Sequence, residues 1–485
     1  MTKMREHSEE TPMMERQQLA GDTRPESRAR LRLRAAVTAF TMAGALAVAV
    51  TPAAAQSEVG NPRDAAQATT VGELVDKLFV FQAPYNPQNV ALSLEDFRRR
   101  AADSREGINI GIGNALTSFP LGASSAGFTY LQNATTGERE LKAVSFGPVF
   151  VERSLTNGKG VLNFGASFQA MKFDTLQGLN VRDDGYVVES LMGTYSDGSQ
   201  VGDASRVQLD IDSKLVLFSG SYGVTDRFDF GWAVPIVNLS ARGRYLHDYN
   251  GGKEWDNNAS YINPQGQRIF IRDVYPGKTG TDTLVDRTVS TTGLGDVVVR
   301  AKYGLGSPDA QVAAISADIR LPTGDEENLL GNGKASVRFT VGGSKRLGES
   351  ASISGNGGYT VGGLTDEINF ALGAEMAVLP SKQLTLTFDL IGQQLRDTIT
   401  ELGFVETERR TISDVPNGFP ARETHYNYAL WDRGSTTLLR GAVGAKLAIG
   451  GNWLLTAAAL FRLNDNGFQP KVVPFIGLEH TWTRN

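Results

Sequence analysis

The 485-residue sequence predicts an all-β protein, a transmembrane antiparallel up-and-down β-barrel of about 14 strands preceded by an N-terminal hatch-like segment. Three observations predict it. An export leader opens the chain, apolar and polar residues alternate with period two through most of the remaining sequence, and the connections between those stretches are short and long in turn.

The leader comes first. Residues 28–34 read RARLRLR, followed by the apolar run AAVTAFTMAGALAVAV (35–50) and TPAAAQ, with Ala53 and Ala55 at the small-residue positions of a cleavage site. Cleavage is expected between Ala55 and Gln56, with Met13 or Met14 as an alternative start. The run is too short for an ordinary membrane anchor and ends at Pro52.

Residues 56–120 carry weak helical signals. Val71, Leu74, Val75, Leu78 and Phe79 share one helical face, and Ser93 with Asp96 can open a second short helix. The sequence leaves open whether this segment plugs a barrel or stays in the periplasm. Residues 108–128, rich in glycine and small side chains, suit passage through a lumen into the first strand.

From residue 121 to 485 the barrel is expected. Leu384, Leu386, Phe388 and Leu390 alternate with Thr385, Thr387 and Asp389; Ile315, Ala317 and Ile319 alternate with Ser316, Asp318 and Arg320. Such windows give strands near 124–133, 143–153, 160–174, 205–223, 226–244, 292–304, 311–322, 335–346, 350–360, 367–379, 382–393, 435–449, 453–463 and 471–483. Every second connection is short, as at Val224–Thr225 and Gly450–Asn452, whereas 176–204, 245–291 and 394–434 are long. In a membrane barrel of this kind the apolar faces meet lipid and the polar faces line the lumen, which assigns Arg300, Lys302, Asp318, Arg320, Arg440 and Lys446 to the interior. The short turns then fall in the periplasm.

Composition narrows the function. The first 55 residues hold 8 of the 48 basic and 6 of the 53 acidic groups, so the mature chain carries about −7 and suggests no nucleic-acid partner. With no cysteine there is no thiolate metal site or cysteine nucleophile. His247, His425 and His480 are scattered outside any zinc-protease pattern, and GASSAG (122–127) is not a nucleophile elbow. Neither enzyme, metal nor cofactor is expected; Asp325, Glu326 and Glu327 lack the spacing of a calcium loop. The mean hydropathy of −0.21 excludes only a helical membrane protein, because lipid-facing and lumenal residues cancel along a strand.

Three motifs carry a family resemblance: YGVTDRFDFGWAVPIV (222–237), TTGLGDVVVRAKYGL (291–305) and LPTGDEENLLGNG (321–333). Together they resemble the outer-membrane transporters of the phenol-degradation meta-pathway family, itself similar to the long-chain fatty-acid transporter barrels. The resemblance implies a 14-stranded barrel in the bacterial outer membrane, with an N-terminal hatch, passing small hydrophobic or aromatic molecules. Partners would be outer-membrane lipid and lipopolysaccharide, those solutes, and the barrel assembly machinery. A general porin and a structural or adhesive barrel are the alternatives.

Two groups of residues are then candidates for the solute path. Trp255, Tyr261, Phe270 and Tyr275 in one long loop, and Tyr426, Tyr428 and Trp431 in another, offer rings for stacking an aromatic ligand, or for packing the loops together. Pro148 and Pro235 each remove a ladder donor and are candidates for a lateral gate.

Overall fold

The computed structural model describes residues 61–81, 94–118 and most of 122–483, with gaps at 123–126, 133–138, 142, 196–199, 251–259, 263–267, 271–278, 308–309, 379–382 and 413–421. These all fall in one compact unit, Ser57–Asn485. The expected export leader lies outside the described residues.

Twelve antiparallel strands form a ring in which each pairs with the next: β1 (Val161–Leu176), β2 (Gln200–Gly223), β3 (Phe228–Asn250), β4 (Val298–Ser307), β5 (Ala310–Arg320), β6 (Ser336–Leu347), β7 (Ala351–Gly362), β8 (Glu367–Val378), β9 (Leu384–Ile412), β10 (Arg422–Gly450), β11 (Trp453–Arg462) and β12 (Val472–Thr483). β12 pairs back onto β1, Trp482 opposite Leu162, and the ring closes. Closure removes the exposed edges that an open sheet would present. Four strands of the same sheet lie outside the ring: Leu179–Asn180, Tyr186–Tyr195, Thr279–Leu294 and Phe468–Pro470.

The expected count of about 14 is therefore corrected to 12. The windows at 124–133 and 143–153 contribute no ring strand. Among the described residues, only Tyr130–Gln132 is paired there, with Arg139–Leu141. Residues 145–157 run against the inner wall, and wall side chains take the place of a ladder partner. Thr385 accepts the Phe146 amide at 3.2 Å, Asp389 those of Val149 and Phe150 at 3.0 and 2.8 Å, Ser344 that of Ser154 at 2.8 Å, Gln311 that of Thr156 at 2.9 Å and Asp229 that of Asn157 at 2.8 Å. Alternation in sequence marks an extended chain but not the partners of its amides.

The two faces of the ring differ as a membrane barrel requires. Leu162, Phe164, Ile315, Ile319, Leu372, Phe388 and Val443 point outward and are exposed, whereas Asn163, Gln169, Thr385, Thr387, Arg440 and Lys446 on the other face are buried. Tyr222, Tyr303, Trp453 and Trp482 lie exposed near the short-turn end, where an aromatic girdle would meet the membrane interface. His480 sits between two of these rings, 4.5 Å from Trp453 and 4.1 Å from Trp482.

Two helices pack against inward-facing strand residues of the long-loop half. In α1 (Val71–Leu78) the Thr70 side chain caps the Glu73 amide at 3.2 Å, and Glu73 in turn accepts from the Thr69 amide at 2.8 Å. Its buried face, Val71, Leu74, Val75 and Leu78, is the one the periodicity marks, and Leu74 and Leu78 press against Gly243 of β3. The second helix, α2 (Leu94–Thr117), runs on to Thr117, longer than expected. Its glycines cost helix propensity but let it approach the wall: a Cβ on Gly107 would lie 2.9 Å from Ile399. Arg105 and Asn109 of α2 both donate to Asp76 of α1.

Candidate functional site

β3 is longer than its neighbour β4, and that difference creates the site. Along one edge β3 pairs with β2 over its full length. Along the other, Phe228–Ala233 pair with β4 and Ile236–Asn250 pair with the Thr279–Leu294 strand. The expected strand 292–304 is thus interrupted: Leu294 is opposite Ile236, Val298 is opposite Ala233, and Gly295, Asp296 and Val297 leave the ladder beside Val234 and Pro235. A proline here removes one donor, and an extra residue on the facing chain completes an irregular, bulge-like break in the wall.

The connection from β5 to β6 folds over this break. Leu321 donates its amide to the Val297 carbonyl at 2.8 Å, and the Thr323 hydroxyl accepts from the Val297 amide at 2.9 Å while donating to the Gly295 carbonyl at 2.8 Å. Asp296 is buried, and its two carboxylate oxygens accept the amides of Gly324 and Asn332, each at 3.1 Å. Leu330, at the centre of the connection, is buried against the inner wall. The motifs GLGD and LPTGDEENLLGNG are therefore partners in space, where the sequence indicates only that an amide or an arginine should satisfy Asp296.

A small cavity lies behind the break. Leu116, Leu215, Leu217, Pro235, Val237 and Leu330 give it an apolar lining, with Asp296 and Arg320 at its border. Both charges are engaged, Asp296 as above and Arg320 by donating to the Thr117 carbonyl at the end of α2. Such a lining suits an uncharged apolar guest. A separate, larger cavity nearer the short turns is more polar, bordered by Asn163, Ser219, Arg300, Lys446 and Glu479.

The six charges assigned to the interior all lie on the inward face. Arg300 grips Asp318 through two bonds of 2.6 and 2.7 Å and reaches Glu152 at 3.0 Å; Lys302 meets the other Glu152 oxygen at 3.4 Å. Arg440 donates to Gln469 at 2.9 Å and Gln393 at 3.2 Å, and Lys446 to the carbonyls of Phe146 and Pro148 at 3.3 and 2.8 Å. Arg300, Lys302, Asp318 and Lys446 thus hold one another or the inner segment. Glu152, Asp389 and Asp229 complete this network; Asp229 lies within the 222–237 motif, but nothing in the sequence marks any of the three as a partner of the inner segment.

The two prolines separate. Pro235 sits in the wall at the break, whereas Pro148 belongs to the inner segment, its Cβ near Gly373. A wall opening at Pro148 has no strand to open. Of the seven aromatic candidates, Tyr428 and Trp431 are buried: Tyr428 meets Phe97 of α2 edge-on at 4.7 Å, and Trp431 lies 5.7 Å from Tyr186. Trp255 and Tyr275 lie outside the described residues, as do the side chains of Tyr261, Phe270 and Tyr426.

A closed antiparallel ring with an apolar exterior and a charged interior defines a β-barrel of the outer-membrane class. Residues 194–378 match the family described as "Putative MetA-pathway of phenol degradation", the family that the three motifs resemble. No curated protein sequence matches the chain. Solved structures with a similar barrel include an outer membrane channel from Pseudomonas putida F1, with 13% identity, a TM-score of 0.36 and coverage of 68% of this chain and 98% of that one. A Pseudomonas aeruginosa FadL homologue has 10% identity, a TM-score of 0.29 and coverage of 67% and 91%. The Ralstonia pickettii toluene transporter TbuX has 11% identity, a TM-score of 0.26 and coverage of 67% and 90%.

Proposed function

We propose that this chain is an outer-membrane channel that takes up small hydrophobic or aromatic molecules by passive diffusion. The observation that carries the reading is the apolar cavity placed directly behind the wall break at Pro235. An oily solute crosses the hydrated lipopolysaccharide layer poorly but gains roughly 25 cal/mol for each Å² of apolar surface it buries. A cavity of this lining supplies that burial, and a break in the wall offers an exit into the apolar membrane interior without passage through water. On this reading Pro235 marks the lateral gate, and α1 and α2, with the rest of residues 56–120, act as the hatch. Lipopolysaccharide and outer-membrane lipid surround the barrel, which the assembly machinery inserts after removal of the leader.

A general porin needs a continuous aqueous path. The network of Glu152, Arg300, Lys302, Asp389 and Lys446, clasping residues 145–157 against the inner wall, argues against one. The test is uptake of radiolabelled toluene by cells expressing the channel, comparing wild type with Pro235→Ala. The variant should take up toluene several-fold more slowly at equal barrel content, as read by heat-modifiable migration. Equal uptake would remove the gate from this position.

A further inference from the structure

We infer that Asp296 is a latch: it positions the connection between β5 and β6 as a shutter over the wall break, and release of that connection opens the apolar cavity to an uncharged solute. The inference rests on the uptake reading above for its purpose but not for its geometry. Gly295 keeps its amide on the Pro235 carbonyl, but the Gly295 carbonyl, the Asp296 carboxylate and both backbone groups of Val297 find their partners in the connection, through Leu321, Thr323, Gly324 and Asn332. Charge-assisted bonds from one buried carboxylate to two amides eight residues apart in sequence fix both ends of the shutter at once. Between those ends hangs Leu330, whose side chain borders the cavity.

Glycines stand on both sides of the close approach. A Cβ on Gly331 would stand 2.3 Å from Asp296 Oδ1, and one on Gly293 would stand 2.9 Å from Leu330 Cδ1. The shutter is also joined to the inner helix, since Gly72 of α1 donates to the Glu327 carbonyl at 2.8 Å and Val71 to the Asn328 side chain at 3.4 Å. Movement of α1 would therefore be felt at the shutter and at the break together. The bonds that hold the shutter lie on a connection rather than in the ring ladder, so its release breaks no pairing between ring strands.

Because the chain has no cysteine, a single introduced thiol reports on the shutter. Leu330→Cys should react slowly with N-ethylmaleimide in the reconstituted barrel, and adding Asp296→Ala should speed the reaction about tenfold or more. Asp296→Asn, which keeps one acceptor oxygen, should fall between. A second reporter, Leu454→Cys, is also buried, elsewhere in the barrel, and should not change. Unchanged labelling at position 330, or acceleration at both positions alike, overturns the latch.

A tether gives the independent arm. In Asp296→Cys combined with Gly331→Cys the two positions are close enough for a disulfide, since a Gly331 Cβ lies 3.0 Å from Asp296 Cγ. The oxidised form should take up labelled toluene several-fold more slowly than the same protein after reduction, and equal rates in the two forms contradict the proposal. If wild-type protein carries no toluene, the uptake reading fails, while the labelling contrast still decides the latch.

Discussion

Gly295 donates its amide to the Pro235 carbonyl at 2.9 Å, and a Cβ on Gly295 would stand 3.0 Å from Pro235 Cγ and 3.1 Å from the Leu330 carbonyl oxygen. The wall break is thus narrow, and a side chain at position 295 is admitted only if Pro235 or Leu330 shifts. Gly295→Val should wedge the β5–β6 connection away from the wall. Labelling of Leu330→Cys should rise in that background, and toluene uptake should change several-fold in the same membranes; a variant indistinguishable from wild type in both would show that the contact is incidental.

Asp389 accepts the adjacent amides of Val149 and Phe150 through a single carboxylate oxygen. Hydrogen bonds to a charged group contribute roughly 1.5–3 kcal/mol each, and their loss would leave two buried donors without a partner. Asp389→Ala should therefore loosen residues 145–157 from the wall. Single-channel recording should then show a larger ion conductance, with the ring itself retained by heat-modifiable migration.

If residues 56–120 act as a hatch, deletion of residues 56–105 should raise the leak conductance of the reconstituted protein. The same deletion removes α1 and much of α2, so Tyr428 and Trp431 lose their cover. Unchanged conductance would mean that the segment does not obstruct the path.

Tyr428 and Trp431 are expected from sequence to meet a solute or to pack the loops, and their burial against α2 and Tyr186 gives them the packing role. Truncating a buried aromatic to alanine typically costs about 3–5 kcal/mol. Tyr428→Ala should accordingly increase hydrogen exchange along α2 around Phe97 while leaving barrel amides protected. A fall in solute affinity with α2 protection intact would restore the ligand-contact assignment.

The α1 cap predicts a pH dependence. The hydrogen bond from Lys77 and the amide and hydroxyl of Thr69 bring the Glu73 carboxyl down to about 2 from its usual value near 4.5. A depressed pKa stabilises the fold above the unfolded value and loses that contribution as pH falls toward 2. Wild-type α1 amides should therefore lose protection progressively from about pH 5 downward, with much of the loss already present at pH 3, whereas Glu73→Gln should show lower protection at neutral pH and little further change over the same range.

Much of the barrel is legible in sequence because lipid and lumen impose opposite polarity on successive residues, and most ring strands begin or end within a few residues of their expected bounds. The misreadings share a cause: period two reports extended backbone, not pairing. The windows at 124–133 and 143–153 are extended or partly so but bonded to side chains or to a small hairpin. Conversely, Thr279–Leu294 reads as loop because its threonines and aspartates mask the inward row of Val285, Arg287 and Val289. Pro235 is visible in sequence as a lost donor. Its importance depends on Gly295–Val297 lying opposite, which only the register of β3 with two successive partners defines. The Asp296 carboxylate is visible too, but its amide donors are 28 and 36 residues away.

Uptake discrimination in cells with a lipopolysaccharide outer leaflet tests the central claim most directly. Radiolabelled toluene, benzoate and arabinose are offered separately to cells with and without the protein. The apolar cavity and lateral exit predict faster entry of toluene, with benzoate and arabinose near background. Fast arabinose entry without any gain for toluene would contradict the account and make the protein a general porin.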